Sequence, residues 1–116
     1  MTNLDPAISF VTEKLSRSTQ SIMGNRLRKI ILYGSYARGD FKEHSDLDIM
    51  VLADFDESEL KALEEEIDRV ASDIGFDHDI IVSVMLNKES LFMSRLHISP
   101  FYRNILSEGV EIYGAH

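Results

Sequence analysis

A single α/β domain, a small mixed β-sheet with helices packed against it, is what this sequence predicts. Two observations carry that expectation. Short apolar runs rich in β-formers recur at 28–33, 47–52 and 79–85, each of strand length. Between and around them lie stretches whose apolar residues repeat at helical spacing. The 116 residues leave room for one core, so one domain spanning 1–116 is expected.

The elements follow in order. Asp5 is a good N-cap and Pro6 suits the first helical position. Ile8, Val11, Leu15 and Ile22 then mark one helix face, and Gly24-Asn25 ends it. The strand at 28–33 stops at Gly34-Ser35, and a polar stretch to Ser45 follows, with room for one short helical turn. After the strand at 47–52, Asp56 caps a long helix with Leu60, Leu63, Ile67, Val70 and Ile74 on one face. Gly75 is placed as its C-terminal glycine. The third strand is expected at 79–85, followed by a helix capped by Asn87 and running to about Leu96. Ser99-Pro100 opens a last helix that Glu108-Gly109 closes, and 110–113 add a short terminal strand.

Composition narrows the function classes. The chain is 44% hydrophobic and 28% charged, with a net charge of −8 and no cysteine. Disulfides and thiolate metal sites are thereby excluded. The acidic balance argues against a protein whose task is to grip nucleic acid directly, because phosphate neutralisation needs clustered cations. It is compatible with carboxylates gathered round a metal and with a basic protein partner. The acidic run at 57–68 reads as a solvated helix face. The first fifteen residues lack a signal-like apolar run and no stretch is long enough to span a bilayer, so a cytoplasmic protein with no membrane role is expected.

Residues 32–52, LYGSYARGDFKEHSDLDIMVL, hold the chemistry. A strand ending in Gly34-Ser35 offers close backbone approach and a hydroxyl, and a helical turn beginning there would add free amides. Arg38 can reinforce such a phosphate cradle. Asp46 and Asp48 alternate onto one face of the next strand, where their repulsion calls for a cation. Asp79 can complete a three-carboxylate cluster, with Asp77 competing for the same role and Asp79 preferred because it directly precedes Ile-Ile-Val. A phosphate cradle beside clustered carboxylates describes two-metal phosphoryl or nucleotidyl transfer.

Gly34-Ser35, ten residues, then Asp46-Leu47-Asp48 resembles the signature of the polymerase-beta-like nucleotidyltransferase superfamily. The run Gly34-Ser-Tyr-Ala-Arg-Gly-Asp40, with Ser45-Asp-Leu-Asp48, looks like its minimal nucleotidyltransferase branch, and the tail at 101–113 is similar to how that branch ends.

The resemblance implies that Gly34 and Ser35 hold the β- and γ-phosphates of ATP with help from Arg38. Asp46 and Asp48 would bind two magnesium ions, with manganese an acceptable substitute. Asp79 would ligate the catalytic metal and help draw the proton from the attacking hydroxyl. An acceptor-gripping second domain, as larger relatives carry, is not expected. The branch instead implies a hetero-oligomer with a small helical RNase toxin of the HEPN class, neutralised by adenylylation of a tyrosine. Two alternatives stand beside this antitoxin reading: transfer to a small alcohol such as an aminoglycoside, and neutralisation by binding alone.

Overall fold

The Asp5 carboxylate accepts a hydrogen bond from the Ala7 amide at 2.8 Å, so the first helix starts where the capping signal places it. In this computed structural model residues 4–115 are described; the outer positions of the expected domain, 1–3 and 116, lie outside them. The elements run α1 (Pro6–Met23), a 3₁₀ turn (Gly24–Arg26), β1 (Leu27–Tyr33), α2 (Ser35–Arg38), β2 (Leu47–Ala53), α3 (Glu57–Asp77), β3 (Val82–Lys88), α4 (Glu89–Ser94), α5 (Pro100–Glu108) and β4 (Val110–Gly114). None of the described helices is long and apolar enough to cross a membrane.

The four strands form one mixed sheet in the order β3-β2-β1-β4. β1 is antiparallel to both β2 and β4, while β2 and β3 run parallel and are joined through α3. The central strands read as near-continuous apolar runs because helices cover both faces. On one face Ile30, Leu32, Leu47, Ile49 and Val51 pack under α1 and α3. On the other, Ile31, Met50 and Leu52 meet Phe92 of α4 and Ile105 of α5. Each such side chain, removed from water, contributes about 1.5–3 kcal/mol.

Capping fixes the long helix at its start. Asp56 accepts from the Glu59 amide at 2.8 Å while the Glu59 carboxylate accepts from the Asp56 amide at 3.1 Å, a reciprocal box. Arg26 donates to both Glu59 oxygens at 3.1 Å and lies 4.0 Å above the Phe55 ring. These contacts tie the start of β1 to the start of α3.

Two boundaries differ from expectation. α3 continues through Gly75 to Asp77 with His78 as its cap. Gly75 is glycine for another reason: a Cβ there would lie 2.3 Å from the Ile80 carbonyl oxygen, where the chain folds back. β3 consequently begins at Val82 rather than Asp79 and runs through Asn87, whose amide donates to Met50 Sδ at 3.3 Å instead of capping a helix.

Candidate active site

The carboxyl end of β1 meets the amino end of β2, and their register pairs Tyr33 with Asp48. Gly34 follows at φ +77 and Ser35 opens the short α2 turn. A Cβ on Gly34 would lie 2.5 Å from Asp48 Oδ2, so only glycine lets the backbone come this close to the carboxylate. The Ala37 and Arg38 amides both donate to the Gly34 carbonyl at 3.1 Å. The Ser35 and Tyr36 amides stand at the open end of the turn, where an anion could meet them. Arg38 is exposed, donating to Asp40 at 3.1 Å and pairing with Glu108 at 3.5 Å.

Asp48 is half-buried between the fully buried Leu47 and Ile49. Burial, first, and the neighbouring Asp46 charge, second, push its carboxyl above the ordinary range, with Arg38 acting the other way. Asp46 is exposed, immediately before β2. Tyr33 forms the wall beside Asp48: its hydroxyl donates to Met85 Sδ at 3.3 Å and its ring meets Phe101 edge-on at 5.8 Å. Burial and the Asp48 charge raise its phenol pKa. The sequence reading missed Tyr33 and Met85, although two-residue alternation from Asp48 along the sheet face could have found the tyrosine.

The structure brings Gly34, Ser35, Asp46 and Asp48 together at one end of the sheet, with Arg38 bordering them. Asp79 is not gathered with them: among the described residues no three His, Asp or Glu side chains converge to hold a metal. It sits in the α3–β3 turn at φ 55, and the β3 residue aligned with Asp48 is Ser83. Asp77 is the last residue of α3. Asp79 instead lines a hollow of about 910 Å³ together with Ser45, the residue before Asp46.

Two carboxylates beside a phosphate-sized cradle fit magnesium, which commonly takes one or two protein carboxylates and completes its shell with water and substrate phosphates. Burial, first, and the Asp46 charge, second, raise the Asp48 pKa, and a bound cation would offset both.

Comparison with known proteins identifies the family. Residues 13–112 match the model of the nucleotidyltransferase domain. Two candidate protein adenylyltransferases of Methanocaldococcus jannaschii are similar in sequence. One is 36% identical over 76% of this chain and 80% of its own length; the other is 30% identical over 88% and 95%. Among solved structures, a toxin–antitoxin complex with AMP-PNP has a TM-score of 0.55 at 22% identity, covering 90% of this chain and 74% of that one. A mutant MntA–HpeT toxin–antitoxin complex has a TM-score of 0.54 at 20% identity with the same coverage; both establish likeness of fold. The chain belongs to the nucleotidyltransferase domain family.

Proposed function

We propose that this protein transfers AMP from ATP to a hydroxyl of a partner protein, with a tyrosine of a small helical HEPN-type RNase toxin as acceptor, and so acts as an antitoxin. The observation that carries the reading is the contact between Gly34 and the Asp48 carboxylate. It sets the Gly34–Ser35 turn directly against a carboxylate whose charge burial and Asp46 disfavour, an arrangement suited to a phosphate bridged by a cation. The relatives named as protein adenylyltransferases and the fold shared with toxin–antitoxin complexes support a protein acceptor.

In this reading Ser35 and the amides of the α2 turn hold the β- and γ-phosphates, and Arg38 adds a charge-assisted bond. Asp46 and Asp48 would hold two magnesium ions, which when bound would supply charge neutralisation and Lewis-acid polarisation of the triphosphate. Asp79, which stands apart from this pair in the α3–β3 turn, would accept the proton of the attacking hydroxyl across the hollow it lines. The acceptor oxygen bonds to the α-phosphorus as the bond to the bridging oxygen of the β-phosphate breaks, and pyrophosphate leaves. Positioning and charge stabilisation carry most of the rate, with no covalent enzyme intermediate.

The test is to incubate the protein with ATP, magnesium and a HEPN-type toxin, then weigh both proteins intact. The toxin should gain one or more adenylyl groups and lose RNase activity, and Asp48→Asn should prevent both. A toxin neutralised without a change of mass would sink the transfer reading in favour of neutralisation by binding. Pyrophosphate released only onto a small alcohol would keep nucleotidyl transfer and remove the antitoxin role.

A further inference from the structure

The hollow beside the catalytic end has a wall that, Asp79 apart, the nucleotidyl-transfer reading does not use. It extends from Tyr36, next to Ser35, and Ser45, next to Asp46, across to Asp79. Carboxylates outnumber the cation-forming side chains on it, which are His44 and His78. Asp5, Glu43 and Asp79 line it, and among the described residues no lysine or arginine does. Such a lining repels the phosphates of a nucleotide and attracts a cation.

The aromatic groups point to the same class of ligand. The Tyr36 and Phe41 rings stack 4.4 Å apart at 14°. Phe41 is 45% exposed and Phe76, also in the wall, is 87% exposed, so ring surface remains open to an incoming group. Open ring faces among carboxylates suit a guanidinium, which stacks on the ring and donates in a fork to the acid. Ile8, Ile80 and Val82 add apolar lining, which can take the aliphatic stems of long cationic side chains.

We propose that this hollow docks a basic, arginine-bearing segment of the acceptor protein, holding it beside Asp46 while the acceptor hydroxyl reaches the triphosphate. The inference rests on the protein-acceptor reading above and adds the partner's chemistry to it. The net charge of −8 steers such a segment towards the protein as a whole, and the hollow selects where it lands.

The experiment uses two short fluorescent tyrosine peptides, one with arginines flanking the tyrosine and one with glutamates in their place. Binding is read by anisotropy without nucleotide. The wild type should bind the arginine peptide and reject the other, more weakly as salt rises. Glu43→Lys should weaken that binding about tenfold or more, since it turns attraction into repulsion. Phe41→Ala should weaken it through the lost ring face. Both variants should bind magnesium–ATP as the wild type does, because neither residue belongs to the nucleotide site. Equal binding of the two peptides, or an unaltered Glu43→Lys, overturns the docking surface. Intact mass after adding ATP and magnesium reads the underlying activity separately. Charge-selective binding with no adenylyl group on any protein or peptide sinks protein adenylylation and leaves docking standing. Adenylylation of both peptides alike does the reverse.

Discussion

The two turns at the catalytic end of this sheet are held in different ways. The first, Gly34–Ser35, sits between antiparallel neighbours: β1 and β2 pair from Leu27↔Ala53 to Tyr33↔Asp48, and both strands are buried on both faces. The second, residues 78–81, joins α3 to the edge strand β3. It is set by a helix end, by the Ile80 amide donating to the Gly75 carbonyl at 2.9 Å, and by a left-handed Asp79. Pairing along a central ladder fixes a side chain to within one register step, whereas a helix-to-strand turn can absorb several residues. The Gly34 and Asp48 pair is therefore rigid by construction. Asp79 owes its position to local turn geometry.

Substitutions can break or sharpen that contrast. The largest effect is expected from Asp48→Asn, which removes a metal ligand from the rigid side and should abolish transfer. Because the carboxylate is destabilised where it stands, the melting temperature at neutral pH should hold or rise. A collapse of the melting transition would make Asp48 a structural residue.

Asp79→Asn should lower single-turnover transfer by about 10²–10⁴-fold, the usual span for a general base, while nucleotide binding survives. Full turnover by this variant would remove Asp79 from the chemistry. Its companion, Asp79→Gly, suits the left-handed backbone and should leave stability within about 1 kcal/mol of wild type.

Ser35→Ala should weaken ATP binding by about 1.5–3 kcal/mol, the worth of one hydrogen bond to a charged acceptor, as read by calorimetry. Undiminished affinity would place the phosphates elsewhere. Gly34→Ala should lose about 1–3 kcal/mol of folding stability from its positive φ, plus whatever the crowding against Asp48 adds. Repeating it in an Asp48→Ala background separates the two: only the crowding part should disappear.

The smallest effect concerns pH. Asp48 has a folded pKa above its unfolded value, so its ionised form disfavours the native state at neutral pH. That penalty fades as pH falls through the folded pKa towards the unfolded one. The wild type should therefore gain stability relative to Asp48→Asn on acidification towards pH ~4, the ordinary aspartate range. Its size is a fraction of a kcal/mol, because solvent screens a half-exposed group. A stability difference that moves the other way would mean Asp48 is stabilised in the fold.

The same contrast explains what could be read in advance. Asp5, Asp56 and Ser99 cap their helices as expected, since each signal acts within three residues of itself. The turn at Gly34 follows from the Gly-Ser that ends an apolar strand, and the nearness of Asp46 to Asp48 from their two-residue spacing at the start of β2. Gly75 misled because its local signature is that of a helix end, while its use is to admit the Ile80 carbonyl five residues on. The start of β3 moved with it. Asn87 reads as a cap because nothing local reveals that the ladder with β2 continues to Ala53↔Lys88.

The buried neighbours of Asp48 also bear on how this gene tolerates insertions and deletions. Residues 39–45 form an exposed or partly exposed connection outside the sheet, and lengthening it adds only a slowly growing closure entropy. A single deletion within β2 is a different event. It would turn the carboxylate towards the core and bring Leu47 or Ile49 to the site, exchanging every face at once. Length variation among functional descendants of this chain should accumulate between the motif's two halves, and β2 itself should keep its seven residues.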